Sequence, residues 1–120
     1  MRHARTLFIA AALIAGPLSV AIIPSDIAHA QCALADQCSQ QVCRQRHNVQ
    51  DRYCNRKRSC VSVNVHNTRR LNNYLTRNEQ CLEAREAVAR CFSVIDQGHQ
   101  DAIDQAENAI HTCRVKLGLD

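Results

Sequence analysis

The chain has 120 residues, of which 46% are hydrophobic, 3% are aromatic and eight are cysteine. Residues 1–30 have the features of an export signal, so the working protein is expected to be a single cysteine-rich domain, residues 31–120. That domain has few large apolar side chains and therefore needs cross-links to be stable. These properties exclude a multidomain enzyme, a dinucleotide-binding α/β fold and an integral membrane channel.

The first 30 residues contain the three parts of a bacterial export signal. Residues 1–5 are basic, residues 7–23 are apolar and interrupted by a glycine–proline pair, and Ala28-His29-Ala30 has the small-x-small form that signal peptidase cuts. An uncleaved membrane anchor is the alternative, which the glycine–proline pair and the cleavage triplet disfavour. Cleavage would make Gln31 the first residue and leave no membrane span, so we expect a secreted or periplasmic protein.

All the cysteines lie beyond this cleavage site. An even number of cysteines in an exported chain predicts disulfides rather than free thiols. Zinc binding is the competing use, but no two cysteines have the C-x2-C spacing common in structural zinc sites. We therefore expect no metal and no other cofactor. The cysteines expected to form disulfides are Cys32, Cys38, Cys43, Cys54, Cys60, Cys81, Cys91 and Cys113.

Charge is unevenly distributed along the chain, which has a formal net charge of +4. Residues 44–77 contain nine basic residues and one acid, Asp51, whereas residues 78–120 contain four basic and eight acidic residues. An arginine-rich segment suits phosphate binding, because guanidinium groups bind phosphate oxygens in a bidentate manner. The alternative is a solvated surface whose basic half pairs with its acidic half. The scarcity of aromatic residues disfavours binding by base stacking.

The periodicity of apolar residues predicts helices and almost no sheet. An apolar stripe from Leu34 to Tyr53 predicts a first helix that ends near Cys54. Residues 55–59 are polar and predict a loop. Residues 61–65 alternate between apolar and polar, but they have no partner strand and therefore predict an extended loop.

Three further helical segments are predicted in the second half of the chain. Asn67 is expected to cap a short helix. The capping-box pattern Thr76-x-x-Glu79 then predicts the start of another helix that continues to Ile95, although Asn78 could itself be the cap.

Residues 96–98 are expected to end that helix. A last amphipathic helix then closes at Gly118, so the two final helices should form an antiparallel hairpin. The predicted fold class is all-α, a small disulfide-stapled helical domain ending in this hairpin.

A hairpin that turned at Gln97 and Gly98 would place Cys81 opposite Cys113. We therefore predict a disulfide between these two cysteines. Cys91 would face no cysteine across the hairpin, so it should reach the N-terminal half of the domain, for example at Cys54 or Cys60.

One pattern in the C-terminal half suggests a family. The pattern is Asn78-x2-Cys81-x2-Ala84-Arg85-x5-Cys91-Phe92-x3-Asp96-x-Gly98-His99-x13-Cys113, with Arg58-Ser59-Cys60 upstream. Over about residues 54–113 it resembles the Novel toxin 16 domain of bacterial polymorphic toxin systems. The resemblance implies an all-α toxin domain that attacks RNA, with a cognate immunity protein as a further partner. This chain departs from the family in having Val94-Ile95 where a glycine pair is usual.

RNA cleavage without a metal needs a general base, a general acid and cations that bind the phosphate. His99 lies at the predicted start of the last helix, where the helix dipole favours a neutral imidazole, and Asp96 is close enough to orient it. The resemblance adds Arg85. Its predicted position, roughly 16 Å from Asp96 along its helix, also allows a structural role such as pairing with Glu107.

Two functions remain open from the sequence. The first is a secreted toxin or effector domain that acts as a metal-independent ribonuclease, with His99, Asp96 and Arg85 as candidate catalytic residues. The second is a non-enzymatic, disulfide-stapled module that binds an anionic partner in the envelope. For a phosphate-binding role, the basic residues of 44–77 are expected to converge near His99, and the arginines expected to contact phosphate are Arg52, Arg56 and Arg58.

Overall fold

Three helices make up most of the computed structural model, which describes residues 30–120. They are α1 (Gln40–Cys54), α2 (Thr68–Ala89) and α3 (Gln97–Leu117). These residues contain no strand, and the predicted all-α class is confirmed. The predicted export signal lies outside the described residues, apart from its last residue, Ala30. None of the helices within 30–120 combines the length and the apolar character that crossing a bilayer requires.

The first helix begins later than the apolar stripe suggested. Ser39 is the N-cap of α1, and its Oγ accepts a hydrogen bond from the Val42 N–H at 3.2 Å. A serine hydroxyl at this position satisfies a backbone donor that has no partner within the helix, which explains why the helix starts here rather than near Leu34. The helix ends at Cys54, as predicted, and buries Cys43 and His47.

The second helix is continuous where the sequence predicted two helices. Asn67 is the N-cap, as expected, and its Oδ1 accepts from the Arg70 N–H at 3.1 Å. The predicted capping box at Thr76 and Glu79 is wrong. Residues 68–89 contain no glycine or proline, so no helix-breaking residue ends the helix before Ala89. The helix then ends at Ala89, six residues earlier than predicted.

The Asn78 side chain lies in the interior of α2 and is not a cap. It is 2% exposed, and its Nδ2 donates to the carbonyls of Tyr74 and Arg58, both at 2.8 Å. The second of these bonds joins the loop after α1 to the middle of α2. A buried amide that holds a loop carbonyl in this way is expensive to remove, because the carbonyl would be left unpaired.

Replacing Asn78 by alanine is expected to lower the free energy of unfolding by about 2–3 kcal/mol. The cost has two sources, the unpaired Arg58 carbonyl and the small cavity left by the amide. Asn73→Ala, an exposed position on the same helix, is the matched control and should cost less than about 0.5 kcal/mol. Urea unfolding of both variants measures the difference. Equal losses would mean that the Asn78 bonds contribute nothing specific.

Side-chain contacts show how the helices are arranged. Arg46 of α1 donates to the Ala87 carbonyl of α2 at 2.8 Å, and Cys54 is bonded to Cys81, so α1 and α2 are antiparallel. The guanidinium of Arg85 reaches the Ala102 carbonyl, near the start of α3. These contacts, and the packing of α3 along α2, give the antiparallel hairpin predicted for the end of the chain. Within residues 30–120, α1 and α3 both pack along α2, and the backbones of α1 and α3 do not come close to each other.

All eight cysteines form disulfides, as predicted, but two of the expected pairs are wrong. Cys81 is not bonded to Cys113, and Cys91 reaches the N-terminal half at Cys38 rather than at Cys54 or Cys60. The reason is the early end of α2, which shifts the hairpin so that Asn78 rather than Cys81 lies beside Cys113, with 3.9 Å between Asn78 Nδ2 and the sulfur. The bonds are Cys32–Cys43, Cys38–Cys91, Cys54–Cys81 and Cys60–Cys113.

Two small clusters of the core are built around disulfides. One lies between the loop after α1 and the open end of the hairpin, opposite the α2–α3 connection. There Cys60 and Cys113 pack with Val63, Leu71 and Leu75. The other lies near the α2–α3 connection and is formed by Cys32, Cys43 and Cys91, with Phe92 packed against it. Four disulfides are compatible with a protein outside the reducing cytoplasm, where such bonds persist.

Candidate functional site

The predicted partners His99 and Asp96 are in contact at the start of α3. Asp96 is the N-cap, and its Oδ1 accepts from the His99 backbone N–H at 2.9 Å. Its Oδ2 lies 2.8 Å from His99 Nδ1. The hydrogen bonds from His99 lower the pKa of the Asp96 carboxyl. Because a carboxylate can only accept, Nδ1 carries the hydrogen, and Nε2 is the basic nitrogen of the neutral ring.

The His99 ring lies against two other rings. Its centroid is 5.5 Å from that of Phe92 and 6.2 Å from that of His47, and both pairs are tilted. The side chain of His99 is 12% exposed, whereas that of Asp96 is 62% exposed. His99 is thus partly exposed, as expected, but most of the ring is covered.

His47 belongs to this site, and the sequence interpretation did not single it out. It is 5% exposed, and its Nε2 is buried without a hydrogen-bond partner in the described residues. Burial lowers the pKa of His47, and the charge of His99 lowers it further, against a smaller opposite effect of Asp51. The available signal was its position four residues after Cys43, which places both on the buried face of α1.

This histidine does not form a metal site with the neighbouring cysteines. The sulfurs of Cys32 and Cys43 and a ring nitrogen of His47 lie within 4.8 Å of one another. Both sulfurs are already consumed by the Cys32–Cys43 disulfide. Since only a thiolate ligates a metal strongly, this arrangement is a packed core and not a centre that could hold an ion.

Arg85 is closer to His99 than the sequence suggested. Because α2 ends at Ala89, Arg85 is four residues from the end of the helix rather than eleven before the turn. Its guanidinium donates to the carbonyl of Ala102, which is three residues after His99 on α3. No carboxylate, Glu107 included, lies within 4.0 Å of it in the described part of the chain. Burial lowers the pKa of Arg85, yet the guanidinium remains charged.

The arginines expected to contact phosphate do not gather around His99. The backbone carbonyl of Arg58 accepts a hydrogen bond from Asn78, and Asn78 lies beside Cys113. Cys113 is 14 residues from His99 along α3, which corresponds to about 21 Å. Arg56 lies in the same loop, where its carbonyl accepts from Arg77 Nη1 at 3.4 Å.

Arg52 lies on a different face of α1 from His47. It is five residues after His47, so it points about 140° around the helix from that residue. The structure therefore separates the predicted phosphate-binding residues from the histidine pair, while it brings His99, Asp96 and Arg85 to one end of the hairpin.

The basic residues of 44–77 are also not paired with the acidic half of the chain. The ion pairs formed within residues 30–120 involve Asp96 and Asp120, and none involves a basic residue of 44–77. Six of the nine basic side chains are exposed. The alternative, a solvated surface whose basic half pairs with its acidic half, is therefore not supported by the ion pairs of residues 30–120. The exposed basic residues of 44–77 are Arg52, Arg56, Lys57, Arg58, Arg69 and Arg70.

A cleft adjoins the histidine pair on the side of the N-terminal turns. It encloses about 260 Å³ between the segments around Asp36 and Ser93, and Phe92 and Asp96 form its edge toward His99. The Ser93 N–H donates to Asp36 Oδ1 at 2.8 Å, and the Ser93 hydroxyl donates to Oδ2. These bonds lower the pKa of Asp36. No basic residue lines this cleft, so it does not suit a phosphate.

Comparison with known proteins gives no relative from which a function could be transferred: no family model, no curated protein and no solved structure matches the chain.

Proposed function

We propose that the protein is a secreted or periplasmic, non-enzymatic module that binds a phosphate-bearing anionic partner. The observation that supports this proposal is the state of the basic residues in 44–77. Six of the nine are exposed, and none has a carboxylate within 4.0 Å among residues 30–120. Arginines that are not engaged by carboxylates keep their donors available for bidentate contacts to phosphate.

Several of these residues lie on one rigid segment, which we call the basic loop: Arg56, Lys57 and Arg58, with Arg77 beside them on α2. The disulfide between Cys54 and Cys81 fixes the start of the loop against α2. Further along, Arg77 and Asn78 donate to the loop carbonyls of residues 56 and 58. A fixed backbone lowers the entropy lost when a partner binds, which favours a binding role for this loop.

Binding to a single-stranded RNA oligomer is expected to depend steeply on salt. With about four cations in contact with phosphates, the affinity should fall about 20–100-fold between roughly 50 and 200 mM salt, because condensed counterions are released on binding. Fluorescence anisotropy at a series of salt concentrations measures the slope. An RNA affinity that does not change with salt, or no binding at low salt, would contradict the proposal.

Two arginine variants locate the interaction. Arg56→Gln should weaken RNA binding and reduce the salt slope by about one unit. Arg90→Gln makes the same change of charge at an exposed position on the C-cap of α2, outside the basic segment. Since Arg90 is twelve residues from Asn78 along α2, about 18 Å away, it should leave binding nearly unchanged. Equal losses in both variants would point to net charge rather than to the basic loop.

A second candidate is metal-independent cleavage of RNA by a secreted toxin or effector domain, whose partners would be RNA and a cognate immunity protein. The Asp96–His99 contact favours it. The Asp96 carboxylate holds Nδ1 of His99, so that Nε2 of the same ring could accept the proton of a 2′-hydroxyl group. Arg85 contacts α3 one turn further on. Because the His99 side chain is only 12% exposed, we place binding before cleavage.

Incubation of refolded mature protein with RNA, with and without a chelator, tests the second candidate. Fragments that accumulate equally under both conditions would support metal-independent cleavage. Intact RNA in both, at protein concentrations that saturate binding, would leave only the binding function.

A further inference from the structure

We propose that the basic loop is a substrate-like inhibitory loop for a serine protease whose specificity pocket is acidic, with Lys57 as the residue that enters the pocket. The inference goes beyond the proposed phosphate binding and does not depend on it. Its partner is a protein, and recognition requires one lysine held in a rigid loop rather than a set of cations.

The loop is fixed at both of its ends by disulfides. Residues 55–59 are all exposed. Cys54, just before them, is bonded to Cys81 on α2, and Cys60, just after them, is bonded to Cys113 on α3. An exposed loop that is already held at both ends loses little conformational entropy when a partner binds it. This property distinguishes a tight inhibitor of a protease from a flexible substrate.

The carbonyl groups on both sides of Lys57 are held by α2. The Arg56 carbonyl accepts from Arg77 Nη1 at 3.4 Å, and the Arg58 carbonyl accepts from Asn78 Nδ2 at 2.8 Å. Arg77 and Asn78 are neighbours on the same helix, so both supports come from one rigid element. The two sides of the peptide bond after Lys57 would therefore stay close together even if that bond were broken.

Lys57 is the basic residue of the loop whose side chain is available to a partner. It is exposed and forms no ion pair within residues 30–120. The Arg58 side chain instead turns back onto the loop, where its Nη1 donates to the carbonyls of Asn55 and Lys57 at 3.4 and 2.7 Å. The partner of the Lys57 carbonyl is thus an exposed guanidinium, which the N–H donors of a protease oxyanion hole can replace.

The expected reaction with the protease is a slow and reversible acylation. The serine hydroxyl of the protease gives its proton to the protease histidine and attacks the Lys57 carbonyl carbon. The C–N bond to Arg58 then breaks, and the histidine returns the proton to the departing Arg58 amine.

The scaffold decides what happens to that amine. In a flexible substrate the amine diffuses away, and water hydrolyses the acyl-enzyme. Here the Asn78 hydrogen bond and the Cys60–Cys113 disulfide keep the Arg58 amine beside the ester. An amine held in place has a high effective concentration, so its attack on the ester, which re-forms the peptide bond and releases the serine, outcompetes hydrolysis.

Inhibition of trypsin by the disulfide-bonded protein tests the proposal, with a chromogenic lysine or arginine amide as the reporter substrate. The wild type should inhibit with a constant of about 1 μM or lower. Lys57→Leu should inhibit trypsin about 100-fold more weakly. The same variant should inhibit chymotrypsin, whose specificity pocket is an apolar slot. Because a gain of inhibition requires a folded protein, this result separates recognition from misfolding.

Arg90→Leu is the matched control, since it makes a similar change at an exposed position on the C-cap of α2. It should inhibit trypsin like the wild type and should not inhibit chymotrypsin. No inhibition of trypsin by the wild type at about 10 μM would overturn the proposal. Equal inhibition of trypsin by the wild type and Lys57→Leu would overturn it as well.

Prolonged incubation with trypsin gives a second readout. The first cut should fall after Lys57, and the two pieces should stay together through Cys38–Cys91 and Cys54–Cys81 until these bonds are reduced. The cut form should still inhibit trypsin, because the protease can re-form the bond. Rapid cutting with loss of inhibition, or a first cut elsewhere, would identify an ordinary substrate and contradict the proposal.

RNA binding by the same wild-type protein separates this inference from the proposed function. Inhibition of trypsin without RNA binding would support the inhibitory loop and contradict the phosphate-binding function. RNA binding without inhibition of trypsin would contradict the inhibitory loop and leave the phosphate-binding function in place.

Discussion

Replacing Cys60 and Cys113 together by alanine is expected to lower the free energy of unfolding by about 4 kcal/mol. The two cysteines are 53 residues apart in sequence. A cross-link over a long segment removes much of the conformational freedom of the unfolded chain, and its contribution grows with the logarithm of the loop length. Both are also at most 1% exposed, in the cluster with Leu71 and Leu75. Unfolding in guanidinium chloride measures the loss.

The Cys32–Cys43 bond offers a matched control for that experiment. It spans only 11 residues, and both of its cysteines are 0% exposed, so the alanine replacements remove the same side chains from an equally buried place. The expected loss is about 3 kcal/mol. If the short bond proved as costly to remove as the long one, local packing would outweigh chain entropy at these positions.

The second large effect concerns His99, if the RNA-cleavage candidate holds. Replacing it by glutamine should lower the cleavage rate by roughly 10²–10⁴-fold, the usual contribution of a general base. Its ring packs on Phe92 and His47, so the variant should also lose about 1 kcal/mol of stability. Cleavage per folded molecule, measured together with thermal unfolding, separates the two effects. Unchanged cleavage per folded molecule would identify His99 as a structural residue.

Two further variants refine that test. Asp96→Asn keeps a side chain that can cap α3 but removes the carboxylate that holds His99 Nδ1. It should therefore slow cleavage while leaving the helix intact. His66→Gln replaces an exposed histidine in the loop before α2 and should change neither cleavage nor stability. A comparable loss of cleavage in His66→Gln would remove the case for His99.

Predictions from the sequence succeeded where the signals were local. The last helix has its buried face at Ile103 and Cys113 and a left-handed C-cap at Gly118, as predicted, although it already begins at Gln97, inside the segment expected to separate the two helices. The same holds for the Asp96–His99 contact, which joins residues three apart. Each of these follows from helix geometry over a few residues, without knowledge of the rest of the fold.

Features that depend on distant parts of the chain were missed. The Thr76–Glu79 pattern occurs inside α2 because a capping-box sequence ends a helix only where the chain actually leaves it. The early end of α2 changed the register of the hairpin and with it the disulfide partners of Cys81 and Cys113. His47 and His99 are 52 residues apart, so their contact had no counterpart in sequence spacing.

The pairing of Cys38 with Cys91 has a consequence for the oxidative maturation of the protein. In a chain that enters an oxidising compartment from its N-terminus, Cys32, Cys38 and Cys43 emerge together, long before Cys91, which lies 53 residues after Cys38. Thiols exchange most readily with those nearby, so Cys38 has two close but incorrect partners while the correct one is absent. We expect early oxidation to give mispaired species, and their conversion to the native bonds to require an isomerase or a slow reshuffling step.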